Sequence, residues 1–319
     1  MKTWQVWAFI GTFTGLAVLF VPFSSAVWGV QYDYTLRVVA MGGALLGILS
    51  GVVGCFAVMR QQSMMGDALS HAALPGVVVA FMLFGRDLGV LLLGAGVASW
   101  LAIVFIRALT HTTRLKQDSA MAIALVAWFA LGMALLAHIQ GQGSANQAGL
   151  DKFIFGQAAA IVERDVQLTA IVSALCFAVI ALFWKELKLL TFDSAFAQAN
   201  GFPTRRLDLL LSSLVVVAVV LGLQLAGVIL MVGLLIAPPI AARQWTQRLS
   251  QMAVLSGVFG GLAGGIGAVI SALDAKLPTG PLIIIVAFSL VVFSLLFAPS
   301  RGLLWQWRRV RPTQLKVVK

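Results

Sequence analysis

The sequence runs to 319 residues, 61% of them hydrophobic and only 10% charged, with a net charge of +11. A soluble domain carries roughly 25% charged residues, and so few cannot cover a water-facing surface. This composition excludes a soluble enzyme, a disordered chain and a disulfide scaffold, and it predicts an all-α polytopic membrane protein.

A spanning helix needs about 20 mostly apolar residues. Runs of this kind cover 6–28, 36–59, 66–84, 88–107, 119–138, 166–184, 208–225, 228–243, 251–272 and 281–298, which predicts ten spans. The first run follows a lone Lys2. A cleavable signal peptide is its rival reading, but the run is longer than a usual signal core and many spans follow it, which favours a retained helix. A polar stretch from Gly141 to Asp165 separates the fifth and sixth spans, and a short amphipathic or re-entrant piece is expected near 151–161. As one helix, 208–243 would be about 54 Å long, too long to cross without strong tilt. Two shorter helices joined near Gln224–Gly227 fit better, with nine spans as the alternative.

Charge favours ten spans with both termini inside. Only Arg37, Arg86, Lys152, Arg164 and Lys276 then lie outside, while the other basic residues lie on the cytoplasmic side. Nine spans would expose either the basic tail or the early basic loops. Trp305 and Trp307 read as interfacial anchors of the tail. The basic residues thus act as topology signals, and no nucleic-acid partner is expected. Cys55 and Cys176 lie inside apolar runs and suggest neither a disulfide nor a zinc site.

Polar groups inside apolar runs are costly and usually functional. In SMMGDALSHAALPGVVVAF, Asp67 and His71 stand at i and i+4 and share a helix face. A carboxylate and an imidazole suit Zn²⁺, Mn²⁺ or Fe²⁺, although two ligands are fewer than a site requires. The alternative is a helix-start cap at Asp67 beside a hydrogen-bonded His71. Pro75 and Gly76 then predict a break or kink that frees backbone carbonyls towards a pathway. Pro238 and Pro239 predict an end or bend of the eighth span near the cytoplasm. Gly280 and Pro281 mark the turn before the last span. His138 reads as interfacial, His111 as solvated, and Asp274 as a loop acid. Glycine-rich stretches such as GGALLGILSGVVG and GVFGGLAGGIGAV indicate closely packed helices. The sequence holds no GxxxxGK[ST] phosphate loop, no HExxH and no nucleophile–base pair. An ATPase that drove transport would be a separate chain. An intramembrane hydrolase built on Asp67 and His71 would lack a second partner motif.

The cytoplasmic segment WKELKLLTFDSAFAQANGFPTRR has another character. Asp193 can cap a short helix that Gly201 and Pro203 stop. Phe192 and Phe196 supply apolar bulk. Asp193, Ala197 and Gly201 recur every four residues, giving a small-residue face that could dock in a partner's groove. A helix lying on lipid is the alternative.

Three stretches in order, GDALSHAALPG, FDSAFAQANG, and GVILMVGLLIAPPIAAR followed by LPTGP, resemble the permease subunits of bacterial ABC importers for manganese, zinc or iron (the ABC-3 type). The resemblance runs from about 35 to 300. Residues 1–34, an extra helix and outer loop, and 301–319, a basic cytoplasmic tail, fall outside it. It implies a type II ABC importer-like permease in the bacterial inner membrane, paired with a second copy or a paralogue. Its other partners would be cytoplasmic ATP-binding subunits and an extracytoplasmic metal-binding protein. By resemblance, the coupling helix near 191–202 sits on the ATPase through Phe192, Asp193, Phe196, Ala197 and Gly201. Asp67 and His71 are transient ligands of the transported ion, and Pro75, Gly76, Pro238 and Pro239 are helix breaks or gates. No cofactor is held permanently, ATP is bound by the partner, and transport proceeds by alternating access. Ligation needs a neutral imidazole, so uptake should weaken on acidification. A proton-coupled secondary metal transporter and an ABC permease for a larger metal chelate are the rival readings.

Overall fold

The computed structural model describes residues 34–85, 87–140, 162–272, 279–299 and 302–304. Among these residues all regular structure is helical. The elements are α1 (Tyr34–Met59), α2 (Met65–Phe84), α3 (Leu88–Thr112), α4 (Gln117–Gln140), α5 (Glu163–Leu182), α6 (Trp184–Phe192), α7 (Ser194–Ala199), α8 (Thr204–Trp245), α9 (Leu249–Ala272) and α10 (Thr279–Phe297). Eight helices are long and apolar enough to cross a membrane. The expected first helix, the piece near 151–161, Asp274 and the tail anchors lie outside the described residues.

The centre is α1, whose most apolar stretch is 89% buried. It packs chiefly on α9 and α8. The contact with α9 is made of glycine. A Cβ on Gly47 would overlap the carbonyl of Gly260, and one on Gly43 would overlap that of Gly264. One turn further along, Ser256 Oγ donates to the Gly51 carbonyl at 2.7 Å. Side chains are missing where the two backbones approach, and dispersion between the helices replaces a hydrophobic drive that lipid does not supply. Helices α4, α5 and α10 turn large apolar side chains such as Phe129, Ile171 and Phe288 outward, as lipid-facing helices do.

Contacts gather the loops at two ends, grouped as the charge reading groups them. At one end Arg60, Arg107, Arg205 and Asp208 meet, and Met59, Phe192, Arg243 and Thr246 line one shared cavity. These are all residues assigned to the cytoplasm. At the other end the Tyr34 hydroxyl donates to Glu163 at 3.4 Å, and Asp87 caps α3 by accepting from Gly89 N–H at 2.9 Å.

Those contacts also fix the course of α8. Its start, through Asp208, and its end, through Arg243 and Thr246, both lie at the end of the bundle where Met59 and Arg60 lie. The chain therefore turns back inside the membrane. The turn is at Gly227, with φ 74° and ψ 175°. Near it the Met231 side chain reaches Gly222, which an unbroken helix would hold about 13 Å away along the axis. The first limb is about 35 Å long and the second about 27 Å, each enough for a crossing. The two-helix reading of 208–243 therefore holds. The return limb makes a ninth pass among the described residues.

Two expected breaks are absent. Helix α2 runs unbroken through Pro75 and Gly76, and α8 continues through Pro238 and Pro239 to Trp245. All three prolines are buried. Pro75 lies against α4, where Gly132 leaves it room, and Gly76 lies against Gly94 of α3. Neighbouring helices hold a proline-containing helix straight enough to continue, as membrane helices often allow. The break falls instead at the one position whose dihedrals exclude a helix. Gly280 and Pro281 lie in the first turn of α10, where a missing N–H costs no helical hydrogen bond.

Candidate functional site

Asp67 lies in the first turn of α2 and His71 one turn on. Their facing atoms, Oδ1 and Nε2, are 3.5 Å apart, and both side chains are about a third exposed on the chain's own surface. Neighbouring helices set their depth. Ser99 Oγ, near the midpoint of α3, donates to the Leu69 carbonyl at 3.0 Å. The His71 ring meets Phe129, near the midpoint of α4, edge to face at 5.0 Å. His71 therefore stands level with the midpoints of α3 and α4, with Asp67 one turn nearer the start of α2, on a face that the other described residues leave open. Asp67 makes no side-chain cap, because the residue at the cap position is Met64.

Metal–ligand distances of about 2.1 Å place two ligands of a tetrahedral ion about 3.4 Å apart. The observed separation matches that edge. Pro75 has no N–H to give the carbonyl of His71, four residues earlier, so this carbonyl oxygen lacks its helical donor. No group of three His, Cys, Asp or Glu side chains that could hold a metal occurs among the described residues. The described residues thus bring together one carboxylate and one imidazole here.

At the cytoplasmic surface α6 and α7 meet at Asp193, whose carboxylate accepts from the Phe196 N–H at 2.8 Å. Helix α7 ends at Ala199, and Gly201 takes φ 80° before Pro203. Cap and stop fall where the sequence puts them. Of the expected small-residue face, Asp193 and Gly201 are exposed but Ala197 is not. Ala197 is fully buried against the chain, while Phe192 and Phe196 are 54% and 55% exposed. A six-residue helix has room for only one inward position, and alanine fills it. The free face carries both aromatic rings among small and polar residues.

Beside this segment lies a group that the sequence reading passed over. Asp208, one turn into α8, pairs through Oδ1 with Arg60 at the end of α1. Through Oδ2 it meets Arg107 of α3 at 2.5 Å. Arg107 also donates to Ser212 Oγ at 3.1 Å and to the Arg205 carbonyl at 3.3 Å. The available signal was an acid at the edge of an apolar run, next to Arg205 and Arg206. Such an acid needs a cationic partner.

His111 and His138 are exposed at opposite ends of the bundle. Asp165 accepts from the Val162 N–H at the start of α5. Cys55 and Cys176 are free and buried. None of these joins Asp67 and His71.

A profile of the ABC 3 transport family matches residues 31–298. Over 286 residues the chain is 46% identical to the zinc transport system membrane protein TroC of Treponema pallidum, covering 89% of this chain and 96% of the relative. It is 45% identical over 282 residues to the manganese transport system membrane protein MntC of Bacillus subtilis, covering 88% of this chain and 65% of the relative's length. Among solved structures, PsaBC from Streptococcus pneumoniae in complex with Fab superposes with a TM-score of 0.75 at 32% identity, covering 88% of this chain and 97% of that chain.

Proposed function

We propose, since the chain belongs to the ABC 3 transport family, that it is the permease of an ATP-driven importer of manganese, zinc or iron. The observation that carries this reading is the Asp67–His71 pair, partly exposed within the spanning helix α2 and level at His71 with the midpoint of α4. An acid and an imidazole facing lipid there would cost several kcal/mol. A second permease copy, or a close paralogue, covers them and brings a second pair, which completes the donor set. Manganese, zinc and iron all accept oxygen with nitrogen.

The remaining parts follow from the family. Residues 35–300 are the permease, with residues 1–34 an added helix and outer loop and 301–319 a basic tail. An extracytoplasmic metal-binding protein delivers the ion. Cytoplasmic ATP-binding subunits dock on Phe192, Phe196 and the segment to Gly201, and they hydrolyse ATP. The permease alternates its access to the two sides as they do so. The break in the helical dihedrals at Gly227 supports a gate at the α8 hairpin.

The test is uptake by vesicles holding the full complex, with Mn²⁺, Zn²⁺ and Fe²⁺ at equal free concentration, with and without ATP. Uptake of at least one ion should require ATP and both partners, and His71→Ala and Asp67→Ala should each abolish it. Uptake independent of the ATPase would mean a proton-coupled carrier. Full uptake by both variants would overturn the assigned ligands.

A further inference from the structure

We propose that Asp208 is a positioning residue that links the cytoplasmic docking segment to the Asp67–His71 pair. The inference rests on the importer reading above. Asp208 follows the segment directly, because Gly201, Phe202 and Pro203 lead into Thr204, and Asp208 lies one turn later. Any shift of 193–203 moves it first.

Two routes leave this carboxylate and converge. Oδ1 holds Arg60, which begins the five-residue turn that opens α2. In that turn the Gln61 and Gln62 N–H groups donate to the Val58 and Ala57 carbonyls at 3.1 and 2.9 Å, and Met65 N–H donates to the Gln62 carbonyl at 3.0 Å, which ties the end of α1 to the start of α2. Oδ2 holds Arg107 of α3, and α3 is bonded to α2 through Ser99 Oγ and the Leu69 carbonyl. Leu69 sits midway between Asp67 and His71. The carboxylate therefore reaches the ion-handling turn from its entry and from its side.

The charges suit this role. One carboxylate faces two guanidinium groups, and all three side chains are mostly removed from water. Arg107 also binds Ser212 and the Arg205 carbonyl, both on α8. A cluster with a single anion is all or nothing: without Asp208 the two arginines repel. Such an arrangement moves the ends of α1, α3 and α8 together.

The test compares wild type, Asp208→Asn and Asp208→Glu in vesicles with the ATPase and metal-binding subunits, reading metal moved per ATP hydrolysed. Wild-type uptake establishes the importer reading independently, and its absence would sink that reading rather than this link. Asp208→Asn should assemble and hydrolyse ATP within about twofold of wild type, yet move about 5–150-fold less metal per ATP, the range of ordinary coupling between sites. Asp208→Glu should restore most of the ratio. If Asp208→Asn does not assemble, Arg107→Lys is read in the same way, since it keeps the charge but loses the fork that spans Asp208 and Ser212. An unchanged ratio, whether the two rates stay the same or fall together, would reduce Asp208 to a staple and overturn the proposal.

Discussion

At the scale of single residues, depth decides what a polar group means. Asp67 and Asp193 are both acids near helix starts, and only Asp193 caps its helix. Asp67 is placed deeper, with its carboxylate towards His71 rather than towards backbone N–H groups. This excludes the cap that the alternative reading assigned to Asp67. Losing one of two ligands should weaken ion handling by at least the 10–100-fold known for outer-shell changes at metal sites. Asp67→Asn keeps the size and one oxygen but removes the charge. It should raise the metal concentration for half-maximal uptake at least about tenfold while leaving the amount of assembled complex unchanged. Uptake titrations beside size-exclusion profiles would show this, and an unchanged half-maximal concentration would remove Asp67 from the ligand set. Ser99→Ala tests the support behind the pair. It removes one buried hydrogen bond, worth about 1 kcal/mol, from the carbonyl between the two ligands. The melting temperature should fall modestly without loss of the fold.

At the scale of elements, close backbone contact holds the centre. The α1–α9 seam has no space at Gly47, where the neighbour is the Gly260 carbonyl. Gly47→Ala must push the helices apart, and overpacking of this kind costs about 1–3 kcal/mol. Gly96 of α3 has nothing within 4 Å of an added Cβ, so Gly96→Ala should be neutral or gain up to about 1 kcal/mol from helix propensity. Thermal melts of the solubilised protein compare the two. Equal effects would deny the seam its role. Gly227 is constrained by conformation rather than space, because φ 74° with ψ 175° is a region only glycine enters readily. Gly227→Ala should cost about 1–3 kcal/mol and disturb the turn of α8. The sequence marked this turn by length and charge, since a 36-residue run exceeds one crossing and ten spans keep the basic loops on one side. It misled at the prolines, where residue type suggested breaks that packing from α4 and α3 suppresses. It misled also at Ala197, whose four-residue spacing is real but faces inward.

At the scale of the whole molecule, hydropathy made the spans legible and basic residues grouped their ends, because both act locally along the chain. The Asp208 cluster was not legible. It joins Arg60 and Arg107 to a residue 148 and about 100 positions away, and no local pattern encodes such a meeting. The same cluster makes the topology testable, because it brings the start of α8 to the end where Arg243 and Thr246 also lie. An unbroken crossing would put Arg206 and Gln247 on opposite sides of the membrane, whereas the hairpin puts both in the cytoplasm. Cys55 and Cys176 are buried, so they leave a quiet background for thiol labelling. Arg206→Cys and Gln247→Cys, at two exposed positions, should both resist a membrane-impermeant maleimide in intact cells and react once the membrane is opened. Glu163→Cys, at the opposite end beside Tyr34, should react in intact cells. Labelling of Gln247→Cys from outside would straighten α8, reverse every later crossing and separate Arg243 from the cytoplasmic surface on which Phe192 lies.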